Sequence, residues 1–138
     1  MPSGILFLCV ANSARSQMAE GIARSLAPPG VKIWSAGSRP TSVRPEAISV
    51  LGEIGIDISG HRSKAVADIP AAEVGTVITL CAEQECPVFP GKVQRLHWGM
   101  PDPAAGAGPA QKNLAAFRKT RDELLRRITA FLGEGYAT

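Results

Sequence analysis

The segment Cys9-Val10-Ala11-Asn12-Ser13-Ala14-Arg15-Ser16 sets a cysteine six residues ahead of an arginine. A thiolate is a strong nucleophile, and a guanidinium can grip two oxygens of a tetrahedral oxyanion at once. The apolar run Gly4 to Val10 ahead of the pair suits a short buried strand, and from Ser16 onward the pattern turns helical. A loop that closes on a helix N-terminus aims several backbone N–H groups at one point, and the helix dipole adds positive potential there. The small residues Ala11, Ser13 and Ala14 let the backbone approach an anion closely. The same field favours the Cys9 thiolate. Residues Val10 to Ser16 are therefore the expected oxyanion loop, with Cys9 as nucleophile and Arg15 as its cationic grip. The competing reading is a buried strand-end cysteine beside a solvated arginine.

Two further cysteines, Cys81 and Cys86, complete the three in the chain. Cys81 ends an apolar β-branched run, and Cys86 falls in the polar stretch after it. Zinc would need a third and fourth ligand at suitable spacing, and only His97 is close in sequence, so no metal site is expected. Inert core thiols are the second alternative. The polar Ala82-Glu83-Gln84-Glu85 followed by Pro87 describes an exposed loop, which favours redox use. Asp102, held between Pro101 and Pro103, reads either as a turn element or as a carboxylate kept stiff at a pocket rim for proton transfer. His97 and Trp98 are expected to pack beneath that loop, and His61 to be structural or superficial.

The elements that must position these residues follow from periodicity. Met18, Ile22 and Leu26, with Ala19 and Ala23, form one helical stripe that Pro28-Pro29-Gly30 ends. Val31 to Ala36 reads as a strand and Gly37 to Val43 as a loop. Pro45 opens a helix whose buried face is Ala47, Val50, Leu51 and Ile54, with Gly55 as its cap. Ile58 to Pro70 is irregular, with a helical turn near Val66. Val74 to Leu80 and Lys92 to Leu96 are the third and fourth strands. Pro101 to Pro109 is a loop before a long helix through Leu114, Phe117, Leu124, Ile128 and Phe131. This alternation predicts one α/β domain over residues 1–138, three-layered and doubly wound, with a four-stranded parallel sheet flanked by helices on both faces. Ligands in such sheets bind beyond the carboxyl ends of the strands, where strand order reverses. With strands one and three as neighbours, Cys81 would come close to the Cys9 loop, and some movement of residues 81–91 would be needed to bridge them.

The 138 residues are 45% apolar and 20% charged, which supports a packed core. A net charge of +3 with no run of like charges suits a small anion more than a nucleic-acid surface. Aromatic residues at 5% leave little for base stacking. No stretch approaches a membrane span, and Met1 to Val10 lacks a basic leader, so a cytoplasmic monomer is expected.

C-x5-R-S after an apolar strand resembles the low-molecular-weight tyrosine phosphatases and the arsenate reductases built on their fold. Asn12-Ser13-Ala14-Arg15-Ser16-Gln17-Met18-Ala19-Glu20 is similar to the reductase branch in particular. So are Ser35-Ala36-Gly37, Gly55-Ile56-Asp57 with Ser59, His61-Arg62-Ser63-Lys64, Thr79-Leu80-Cys81, His97-Trp98 and Asp102-Pro103, in order along nearly the whole chain. The resemblance implies arsenate in the Cys9–Arg15 loop, attack by Cys9, and Asp102 as general acid. It further implies attack of Cys81 on Cys9 with release of arsenite, then attack of Cys86 on Cys81, and re-reduction by an external thiol donor. Thioredoxin and glutathione/glutaredoxin are both candidates for that donor, and no bound cofactor is implied.

Two departures stand out. Relatives often carry six residues between the later cysteines, and this chain carries four. Some relatives hold potassium through an asparagine, a glutamate, a serine and an aspartate. Asn12, Glu20 and Ser35 match three of these, while Lys64 takes the place of the aspartate. The expectation is that the Lys64 ammonium occupies the cation's position and pairs with Glu20. The alternative functions are a phosphatase for phosphotyrosine or small phosphomonoesters, and a non-catalytic oxyanion-binding module. Ala104 and Ala105 after Asp102-Pro103, in place of aromatic residues, argue against the phosphatase.

Overall fold

The computed structural model describes residues 3–82, 87–104 and 110–133. Its elements are β1 (Gly4–Cys9), α1 (Arg15–Leu26), β2 (Ile33–Gly37), α2 (Pro45–Gly52), β3 (Val74–Cys81), β4 (Gln94–Met100) and α3 (Ala110–Phe131). The four strands form one sheet in the order β2-β1-β3-β4, and every pair is parallel.

Alternation along the central strands divides the core. Ile5, Phe7, Ile78 and Leu80 face α1, α2 and α3, meeting Met18, Ile22, Val50, Leu51, Phe117, Leu124 and Ile128 in one cluster. Leu6, Leu8 and Val77 face the other way, against Ile69 and Phe89. That second layer is thinner. It is made by the 3-10 turns Val66–Asp68 and Ala71–Glu73 and the segment 87–93. The β2→β3 connection first places α2 on the helix face and then crosses this one through the 3-10 turns, and β3→β4 crosses it through 87–93, whereas β1→β2 returns through α1 on the other. The reversal of direction falls between β1 and β3. The carboxyl ends of those two strands therefore flank the crevice in which the Cys9 loop lies.

Local chemistry sets the boundaries. Ala27 precedes Pro28 and is extended, at φ −69° and ψ 147°, because proline disfavours a helical residue before it. Gly55, at φ +80°, turns the chain after α2, and Ile56 N–H returns to Leu51 O at 3.0 Å. Two expected core residues are exposed: Leu26 is the last residue of α1, and Ile54 lies past the end of α2. The fourth strand runs from Gln94 to Met100, two residues later than its expected start and four beyond its expected end. Its edge position leaves Gln94, Arg95 and His97 exposed and removes the apolar run that marks a buried strand, so backbone pairing with β3 defines it instead. Within β4, Leu96, Trp98 and Met100 face the helices, Trp98 standing edge-on to Phe131 at 5.9 Å. His97 points to the other face, where its Nδ1 is 2.7 Å from Thr79 Oγ1 and it helps line a cavity of about 310 Å³.

Candidate active site

The loop after β1 is shaped by where its carbonyls go. Val10 O accepts from Arg39 N–H (2.9 Å), Ala11 O from Thr41 N–H (3.1 Å) and Ser13 O from Arg44 N–H (2.9 Å). Asn12 O accepts from the Ser63 hydroxyl at 2.6 Å. In a trans peptide unit the C=O and N–H point in opposite directions. Four successive carbonyls held from outside therefore turn the N–H groups of Ala11, Asn12, Ser13 and Ala14 toward the concave side. Asn12 makes the turn at φ +49°, the single left-handed non-glycine among the described residues. Asparagine is among the few side chains that tolerate this region.

Gly37, at the end of β2, lies directly beneath. A Cβ on it would come within 2.4 Å of Val10 O, 2.8 Å of Asn12 N and 2.9 Å of Cys9 O. No other residue type leaves the loop where it is.

Cys9 is a free thiol, 2% exposed, with its Sγ 2.8 Å from Ser16 Oγ. The direction of that contact is fixed by its neighbours. Asn12 Oδ1 accepts from Lys64 N–H at 2.8 Å, so the other arm of the amide, Nδ2, donates to Ser16 Oγ at 2.7 Å. The Ser16 proton is left for the sulfur, so the hydroxyl donates to Cys9 Sγ. Arg15, almost wholly buried, is steered by its Nη1 donating to Met100 O at 3.0 Å. That bond ties the loop to the end of β4. Asp102 follows two residues later, half-buried, its Oδ1 accepting from Ala104 N–H at 2.9 Å. The turn role weighed from the sequence is thus visible, two residues beyond the carbonyl that Arg15 meets.

Glu20 anchors the underside. Ser35 Oγ donates to its Oε1 at 2.6 Å, Lys64 Nζ approaches the same oxygen at 3.4 Å, and Arg24 Nε meets Oε2 at 3.0 Å. Burial pushes this carboxyl up, but the Ser35 hydrogen bond and the charges of Lys64, His61 and Arg24 outweigh it and hold the group below its ordinary value. The Lys64 ammonium also donates to Arg62 O at 3.0 Å. Asn12, Glu20, Ser35 and Lys64 are therefore gathered in one cluster.

Cys81 is buried at the end of β3 and is disulfide-bonded. Leu8 pairs with Thr79, so Cys9 is level with Leu80 and one residue out of phase with Cys81. By alternation Cys9 shares the parity of Phe7 and Cys81 that of Val77, while the register shifts between Thr79 and Cys81 and the β4 partner of Cys81, Met100, belongs to the helix-side cluster. Cys86 lies outside the described residues, as does Ala105. Among the described residues, no three His, Cys, Asp or Glu side chains are placed to hold a metal ion, and no helix is long and apolar enough to cross a membrane.

The sequence reading passed over Gly37, Gln17, Ser63 and the carbonyl of Met100, and it left His61 as either structural or superficial. His61 is half-buried, its Nδ1 3.1 Å from Gln17 Oε1 and 3.8 Å from Glu20 Oε2. Burial pushes its imidazole below the ordinary value. Glu20 and Asp57 oppose this, and Arg24 and Lys64 reinforce it.

A strand-end thiol, an arginine and an inward-facing ring of amides at a β1/β3 switch point define an oxyanion-binding cysteine enzyme scaffold. Residues 4–136 match the family model for low molecular weight phosphotyrosine protein phosphatase, and the chain belongs to that family. An arsenate reductase of Halalkalibacterium halodurans is 40% identical over 133 residues, covering 95% of this chain and 96% of that protein. A solved structure described as an arsenate reductase in oxidized state aligns with a TM-score of 0.81 at 30% identity, over 96% of this chain and 98% of that one. A thioredoxin-dependent arsenate reductase of Corynebacterium glutamicum aligns with a TM-score of 0.64 at 30% identity, over 92% of this chain and 62% of that one.

Proposed function

We infer that this chain reduces arsenate to arsenite, in arsenic detoxification. The observation that carries the reading is a free thiol in an oxyanion cradle, Cys9, beside a strand whose terminal Cys81 is disulfide-bonded. A phosphatase has no use for the second feature. Arsenate is held by the amides of residues 11–14 and by Arg15. The Cys9 thiolate attacks arsenic, forming an S–As bond, and Asp102 protonates the oxygen that leaves as water. The Cys81 thiolate then attacks Cys9 sulfur. A Cys9–Cys81 disulfide forms, the S–As electron pair passes to arsenic, and arsenite departs. Cys86 attacks Cys81, freeing Cys9 and leaving a Cys81–Cys86 disulfide for an external donor. The sum is one arsenate and two thiols converted to arsenite, water and a disulfide.

The thioredoxin-dependent relative supports thioredoxin as that donor, over glutathione with glutaredoxin. Lys64 takes the role of a loop cation, and its contacts with Glu20 and Arg62 O support this. The setting proposed is the cytoplasm, with the chain acting as a monomer.

Arsenate-dependent thiol consumption with wild type, Cys81→Ser and Cys86→Ser tests the reading. Turnover is lost in both variants, Cys86→Ser completing at most one stoichiometric round. Phosphomonoester hydrolysis that exceeds arsenate turnover in wild type and survives both substitutions would establish the phosphatase instead. Parallel assays with thioredoxin and with glutathione plus glutaredoxin identify the donor.

A further inference from the structure

Gln17, in the first turn of α1, is wholly buried, yet the chemistry just described gives it no task. Its Nε2 lies 2.9 Å from Asn12 Oδ1, 3.3 Å from Asn12 O and 2.8 Å from Arg62 O. Three oxygens around one end of the amide identify that end as the NH2 group. The other end, Oε1, must accept, so His61 Nδ1 carries a proton and donates to it. The amide is thereby locked between an imidazole and three carbonyl groups and cannot flip.

This lock stands at the head of a directional chain. Gln17 Nε2 donates to Asn12 Oδ1, Asn12 Nδ2 donates to Ser16 Oγ, and the Ser16 hydroxyl is left to donate to Cys9 Sγ. Gln17 also pins Arg62 O. It thus holds in place the irregular 62–64 segment, which supplies the Ser63 hydroxyl and the Lys64 N–H to Asn12. Hydrogen bonds in such a series polarise one another, and a buried series is sensitive to the loss of any member.

We propose that Gln17 is a positioning residue for the Cys9 thiolate, acting through Asn12 and Ser16, with His61 setting the orientation of its amide. The proposal rests on the reading of Cys9 as the attacking thiol, but its test does not require arsenate turnover. Gln17→Met preserves length and removes both hydrogen-bonding functions. The measurement is the rate of Cys9 alkylation by iodoacetamide at pH 7, localised by peptide mass, together with the thermal midpoint of each variant. Gln17→Met slows alkylation about tenfold, the scale of one hydrogen bond to a charged group. In a Ser16→Ala background the same substitution changes the rate by less than about twofold, because the path to sulfur is already cut. A structural role would lower the thermal midpoint and slow alkylation equally in both backgrounds, and that result overturns the proposal. So does a Gln17→Met rate within twofold of wild type. His61→Leu, at a partly exposed position, supplies the second variant. By releasing Oε1 it slows alkylation about threefold, a fraction of the full hydrogen-bond effect, and an unchanged rate counts against the orienting role.

Discussion

Replacing Gly37 by alanine tests the geometry of the cradle without touching any group that contacts substrate. The added methyl would stand 2.4 Å from Val10 O, with Asn12 N at 2.8 Å and Cys9 O at 2.9 Å. All three are backbone atoms, so no side chain can swing aside. Restoring an ordinary carbon–oxygen contact moves the loop by about 1 Å, and a misplacement of that size costs on the order of 100-fold in rate at a preorganised site. Overpacking of this kind costs about 1–3 kcal/mol in folding. For a chain of this length that lowers Tm by about 3–10 °C. The assay is kcat/KM for arsenate reduction, well below the variant's own Tm, with inorganic phosphate competition to report loop affinity separately. Gly52→Ala is the control: its Cβ meets nothing within 4 Å, and activity there is unchanged. A Gly37→Ala enzyme within threefold of wild-type kcat/KM would refute the claim that the close approach of β2 fixes the loop.

The other expectations concern charge. Glu20 is held below its ordinary value in the folded chain, so its contribution is present above about pH 4.5 and is lost as pH falls below that; urea unfolding from pH 7 to 3 shows this slope in wild type and not in Glu20→Gln. Glu53, bonded to Arg118 and Arg121 and lowered to about 2, behaves in the same sense between about pH 4.5 and 2. This exposed link between α2 and α3 also weakens in high salt, which a salt titration of Tm compared with Glu53→Gln will read. With the Lys64 ammonium in the cation's place, exchanging NaCl for KCl at constant ionic strength leaves wild-type activity and Tm unchanged, whereas Lys64→Asp becomes potassium-responsive. A potassium effect on wild type would reject that role for Lys64.

Legibility in the sequence followed the range of the interaction. The first three strands, the loop and the reactive pair came from short patterns, because a buried strand and an anion-binding turn are local devices. Gly37 did not come through, since its constraint is a contact with residues 9–12 that is visible only once β2 lies beside β1. Gln17 was legible only as one letter of a motif string, and His61 as either a structural or a superficial residue. Their partners are 44 and 45 positions away, and no periodicity reports that. The expected approach of Cys81 to Cys9 rested on strand adjacency alone, whereas the phase between them depends on a register that residue types do not encode.

That phase has a mechanical consequence. For a Cys9–Cys81 bridge to form, the last rung of β3 would have to turn its sulfur toward β1, which would loosen the pairing of Cys81 with Met100. Met100 is also the residue whose carbonyl steers Arg15. On the proposed relay, opening that rung would slacken the arginine's hold on the oxyanion. One strand end would then act, within that relay, as a latch that couples sulfur exchange to product exit, and a stiffer sheet here would make a slower enzyme.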